Sequence, residues 1–297
     1  MSDEAYLVGR TKAPLRSPFK GQDQVFAADR LDGQTISGAD FAHCTFANVS
    51  FKEVKLDGSH FTNCTFIGCY FRRTKLSNSS FQASKFLSCD FPKATIQRCD
   101  FSSAKFSDCY VPFAEMEHSL PSQPNLREAL ARNLTIETDK LGLPGERRLY
   151  RMAELKAREQ HLLAAVMARS AWYKAHFDPL ARLGAASRLV GSYVNKLLWG
   201  YGERISVLLR NFAVAGLLLF PALFYTLREQ LASTPGGTVD LKDVVYFSLA
   251  NIVPTGIQSN IKAVGALAQF LTTVESLFGV VTAGLLATYI FRWSLHK

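Results

Sequence analysis

Charge is scarce where this chain is most apolar. Its last 93 residues hold six of the 34 Lys and Arg and four of the 25 Asp and Glu. Other absences narrow the chemistry. None of the six cysteines stands in a C-x-x-C pair, so a zinc site is not indicated. No glycine-rich phosphate loop occurs, and no Ser, His and Asp stand in a catalytic context, so neither an enzyme nor a cofactor is expected. The start, M-S-D-E-A-Y-L, lacks a basic segment leading into an apolar run, so no secretory signal is read there and the charged front is expected in the cytoplasm.

A strict repeat is present instead. From Phe41 an apolar residue returns at every fifth position: Phe46, Phe51, Leu56, Phe61, Phe66, Phe71, Leu76, Phe81, Phe86, Phe91, Ile96, Phe101, Phe106 and Val111. Leu31 and Ile36 begin the run more weakly and Met116 closes it. Two residues before each stands a small or compact side chain, and all six cysteines fall on that position. A period of five fits neither a helix nor a strand. It fits a squared solenoid in which each five-residue segment forms one side, a coil takes 20 residues, and coils stack at the ~4.8 Å strand spacing.

This register resembles the pentapeptide-repeat family, which implies a right-handed quadrilateral β-helix over residues 31–116, with residues 1–30 as a cap or arm. The cysteines then read as inward filler, with Cys69, Cys89 and Cys109 stacked on one face. A stacked ladder could also suggest metal or disulfides, but the spacings and a reducing compartment favour packing. Some members imitate DNA with an acidic surface. Here nine bases face eight acids between residues 31 and 116, so no nucleic-acid mimicry is expected.

Residues 117–204 form a basic helical linker, with 14 bases against nine acids. Asn125–Asn133 reads as a short amphipathic helix, Leu143-Pro144-Gly145 as a break, and the stretch from Glu146 to Phe177 as one long helix. Its arginines, Arg147, Arg148, Arg151 and Arg158, read as a solvated face, and His161 and His176 as surface or packing residues. The aromatics of Trp199-Gly200-Tyr201-Gly202 suit a membrane interface.

Residues 205–297 read as a membrane domain. Ile205–Leu227 and Leu267–Phe291 are each long enough to cross the hydrocarbon core, and Arg210 can snorkel. Basic residues outside both spans place both termini on the cytoplasmic side of the plasma membrane. Between the spans the apolar Val244–Ala250 dips back and is broken by Asn251, Pro254 and Gly256. Irregular backbone at that depth needs protein or water around it, which several copies about an axis supply.

The order of elements resembles the two-span pore domain of the potassium-channel superfamily, carried by Asp243, Tyr246-Phe247-Ser248, Gly256 and Leu277–Tyr289. The resemblance implies a homotetramer, permeant inorganic ions and membrane lipid as partners, and a selectivity filter at Pro254, Thr255, Gly256, Ile257 and Gln258. Only the central glycine of the family's T-V-G-Y-G survives there. It also implies Lys262 at the outer mouth and Glu275, with Phe278 and Thr282, on the cavity wall. A second placement for Glu275 stays open, bonded behind the filter to Ser248 or Asn251. The expected function is a tetrameric channel for monovalent cations with a cytoplasmic pentapeptide module for gating or assembly. The alternatives are an anion or non-selective channel of this architecture and a membrane-tethered scaffold.

Overall fold

The five-residue period becomes three-residue strands separated by corners. The computed structural model describes residues 15–233, 238–253 and 259–295. Strands of like phase pair in parallel with a register of 20 residues, as in Thr65 with Lys85 and Lys85 with Lys105, giving about four turns of β-helix. The corners are left-handed. Every fifth residue has positive φ, for example Asn48 at 54°, Glu53 at 60° and Arg73 at 55°. L-residues adopt that conformation at a cost of about 1–2 kcal/mol each. It is offset here because the corner amides from Asp23 to Ser88 bond the next coil, as Asn48 N–H does to Ile67 O at 2.8 Å.

Phenylalanine fills the interior in columns. Phe46, Phe66, Phe86 and Phe106 stack with ring centroids 4.9, 4.9 and 4.7 Å apart. Each is almost fully excluded from solvent, and burial of such a side chain stabilises by about 1.5–3 kcal/mol. The small position stacks too. Cys69, Cys89 and Cys109 are buried free thiols whose Sγ atoms lie 3.3, 3.5 and 3.4 Å from the carbonyls of Phe46, Phe66 and Phe86.

The solenoid begins earlier than its sequence signal. Lys20–Gln22 and Val25–Ala27 are already paired strands, in register with Asp40–Ala42 and Thr45–Ala47. Phe26 keeps the period, but Gly21 occupies an apolar position, and the rings of Phe26 and Phe41 close over it.

At the far end, helices close the stack: α1 (Phe113–Met116), α2 (Pro124–Lys140) and α3 (Pro144–Val166). Asn133 of α2 holds both backbone groups of Phe106, accepting from its N–H and donating to its carbonyl, each at 2.8 Å. Glu137 accepts from Asp108 N–H at 2.6 Å and Glu146 from Phe113 N–H at 2.7 Å. Asn133 and Glu137 thereby satisfy the edge of the last coil, which would otherwise be an open template for pairing. Buried Glu154 of α3 joins the two helices through Arg132 of α2 at 3.1 Å and also pairs with Arg151 of its own helix at 2.7 Å.

Two helices differ from expectation. α2 runs seven residues past Asn133, because its lower half is needed to reach the solenoid edge. The long helix from Glu146 breaks at Met167–Ser170, where Ala168 is left-handed and Ser170 caps α4 (Ala171–His176) by accepting from Tyr173 N–H. Neither Gly nor Pro marks that break. Next comes α5 (Pro179–Trp199). The chain divides into two compact units at Leu189–Val190, inside α5.

In the second unit α6 (Ile205–Val214) continues through a π-turn, Ala215–Leu219, into α7 (Phe220–Thr226). α8 (Leu241–Ile252) follows, and α9 (Ala266–Leu295) ends the described chain. Leu231–Ser233 and Ile261–Ala263 pair antiparallel between them.

Candidate functional site

Two helices of this unit are long and apolar enough to cross a membrane, Ile205–Thr226 and Ala266–Phe291. At 1.5 Å per residue they extend about 33 and 39 Å. α8 is short by comparison and is defined at both ends. Asp240 caps it, accepting from Leu241 N–H at 2.8 Å, while Asp243 accepts from Asp240 N–H at 3.2 Å. It stops at Val253, which is extended, as a residue preceding proline prefers to be. Its buried face is Val244, Phe247, Ser248 and Ile252. Phe247 meets Phe224 of α7 edge-on at 5.0 Å.

Ser248 is where three helices meet. In the π-turn the Phe220 N–H reaches back five residues to the Ala215 carbonyl. The next residue in that register is Pro221, which has no N–H, so the carbonyl of Gly216 is left over. Ser248 Oγ lies 3.4 Å from it. The same hydroxyl donates to Glu275 Oε1 of α9. A hydroxyl has one proton, so it serves one acceptor at a time, and the closer carboxylate is the favoured one.

Gly279, one turn beyond Glu275, is what allows this closeness. A Cβ there would overlap the carbonyl oxygen of Ile252 at the end of α8. Gly216 likewise receives the Ile252 side chain, which an added Cβ would meet at 3.4 Å. The end of α8 is therefore held between two backbone surfaces stripped of side chains.

The site residues expected from sequence fall into three groups. Pro254, Thr255, Gly256, Ile257 and Gln258 lie outside the described residues. Lys262 is exposed on its short strand, opposite Ala232. Glu275 and Thr282 are buried inside a single chain, at 0% and 4% exposure, and Phe278 packs on Phe220 with centroids 6.1 Å apart. A cavity enclosed between copies would be lined by residues open in one copy. This face of α9 is instead occupied by its own α8 and α7, and Glu275 takes the bonded placement at Ser248. Glu275 Oε2, Asn251 Nδ2 and Thr282 Oγ1 have no hydrogen-bond partner among the described residues.

Gln230 is a further positioning residue that the sequence did not single out. Its carbonyl accepts from Val264 N–H at 2.9 Å, and its side chain accepts from Ala268 N–H at 3.3 Å, so it ties the end of the first span to the start of α9. Gly279 and Gly265 were visible as glycines in apolar surroundings, but their neighbours were not.

The comparisons bear on the first unit. Residues 39–119 match the family described as the pentapeptide repeat region, so the chain carries a pentapeptide-repeat β-solenoid domain. Similar solved structures include a pentapeptide repeat protein from the cyanobacterium Cyanothece 51142. It is 7% identical with a TM-score of 0.30, covering 32% of this chain and 65% of that one. HetL, a pentapeptide repeat protein involved in heterocyst differentiation regulation in Nostoc, is 13% identical with a TM-score of 0.29, covering 36% of this chain and 44% of its own. QnrB1, a plasmid-mediated fluoroquinolone resistance protein, is 20% identical with a TM-score of 0.17, covering 31% and 48%. This chain thus spans less than two thirds of the length of each. None of the curated proteins matches it.

Proposed function

We propose that this chain is the subunit of a pore-loop ion channel, in which four copies bring their 254–258 loops together around an axis. The observation that carries the reading is α8, a short capped helix pinned between two span-length helices and followed directly in sequence by residues 254–258. A simple tether needs two spans and gives no reason for a third helix wedged between them. The C-terminal end of α8 carries partial negative charge and precedes residues 254–258, which favours cations there. Monovalent cations are the proposed permeant ions. In this reading Glu275 acts as a brace, holding Ser248 and thereby the helix that presents the loop. The basic stretch before Ile205 supports a cytoplasmic pentapeptide domain, which in this reading is a gating or assembly module.

The test is current from purified protein in a planar bilayer under a KCl gradient. A reversal potential near the potassium equilibrium value supports the cation channel. One that follows chloride makes the exposed Lys262 the residue to examine and transfers the reading to an anion pore. No current from folded, oligomeric protein incorporated in the bilayer leaves the tethered scaffold as the better account.

A further inference from the structure

α5 carries an apolar stripe that stays exposed among the described residues. Leu183, Val190, Val194 and Leu197 recur at helical spacing with 69, 62, 48 and 65% of their surface exposed, and half-exposed Tyr193 joins them. The helix has three bases, Arg182, Arg188 and Lys196, and no acid. Arg182 and Lys196 each stand one residue before a leucine of the stripe, and so flank it.

The C-terminal half of α5 is not free to swing. Gly200, Tyr201 and Gly202 all have positive φ, at 56, 61 and 71°, and make a tight left-handed turn into α6. Asn211 of α6 reaches back to donate to the carbonyls of Leu197 and Leu198, at 2.5 and 2.9 Å. Ser192 and Tyr201 share a hydrogen bond of 3.0 Å. The part of the stripe from Val190 to Leu197 is therefore held beside the first residues of a span-length helix.

We propose that this stripe lies in the headgroup region of an anionic lipid bilayer, the same membrane that α6–α7 and α9 cross; the inference rests on reading those helices as spans. An amphipathic helix with one apolar face and only basic charge is suited to such a surface. A second copy of the chain would cover the stripe without needing the basic excess.

The full chain is tested in nanodiscs of POPC with POPG, with an environment-sensitive dye on Val190→Cys or Val194→Cys. The native cysteines are buried, so the native chain should take no dye. Bromine-bearing acyl chains should lower the dye's intensity by about twofold and iodide hardly at all, with weaker lipid quenching in POPC alone. Asn195→Cys, on the other side of α5, should show the reverse. Iodide quenching at Val190 and Val194 overturns the proposal, as does shielding from both quenchers, which would indicate a second copy. Equal quenching in pure POPC overturns its anionic requirement. A dye on Leu218→Cys, in the first span, separates the two levels. If it is quenched by lipid while α5 is not, the inference alone fails; if it is not quenched, the membrane reading fails and the inference with it.

Discussion

Gly279→Ala gives the most direct test of how α8 is held. The added methyl would sit on the Ile252 carbonyl, 2.8 Å from its carbon and 3.2 Å from its Cα, with the oxygen closer still. Comfortable contact between carbons begins near 3.5 Å. The end of α8 must therefore withdraw by about 1 Å, or α9 must turn, and overpacking of this kind costs about 1–3 kcal/mol. Gly284→Ala on the same helix is the control, since a Cβ there meets nothing within 4 Å. It should stabilise by about 0.5–1 kcal/mol through helix propensity. Because both changes remove the same backbone freedom from the unfolded chain, that contribution cancels in the comparison. The two melting temperatures in nanodiscs should differ by about 5–10 °C, with Gly279→Ala the lower. Bilayer current should be lost in Gly279→Ala and kept in Gly284→Ala. Equal melting temperatures, or full current in Gly279→Ala, would refute the close approach of α8 and α9 on which the site is built.

Glu275→Gln keeps an oxygen for the Ser248 hydroxyl and should leave the reversal potential unchanged, whereas Glu275→Ala should destabilise by about 1–3 kcal/mol and abolish current. A reversal potential that moves in Glu275→Gln would put the carboxylate in the ion path after all. Asn133→Ala leaves both backbone groups of Phe106 without partners, at about 1–3 kcal/mol each, and hydrogen exchange at Phe106 should accelerate while that at Phe66 does not. Acid should loosen the α3–α4 contact. Burial holds the His161 imidazole below its usual pKa, and its Nδ1 lies 2.9 Å from Tyr173 Oη. A depressed pKa means stability that is complete above the unfolded value, about 6.5, and is lost as pH falls through the folded one. Trp172 fluorescence should therefore change on acidification from pH 7 to 5, and His161→Phe should flatten the response; an unchanged response in that variant would disprove the assignment.

Much of the solenoid could be read from sequence because one physical demand repeats at every corner. Phe41 to Val111 state the period, and the cysteines state the size limit beside it. The start was harder, since Gly21 says nothing about register until Phe26 and Phe41 are seen closing over it. The break after Val166 was hidden because a left-handed Ala168 has no compositional mark, and Ser170 was the single local sign. At the second site the helices were legible as apolar runs. What could not be read was the direction of the face bearing Glu275. A helical period gives spacing around an axis but not which side a neighbour takes, and that choice follows from Gly279 meeting Ile252. Pro221 carried its own signal, a missing N–H, but its consequence needed the partner at Ser248.

The stacked corners also set a rule for how this chain can change length. Each five-residue side turns the backbone through a quarter of a revolution and lifts it by about 1.2 Å, a quarter of the strand spacing. A gain or loss of 20 residues returns every column to its own phase and moves the last coil by one step. A change of five or ten would present Asn133 and Glu137 with a different side of the square, where the backbone groups of Phe106 and Asp108 no longer wait. The domain is thus a ruler graduated in whole coils, and its helical stopper is keyed to one side of the square.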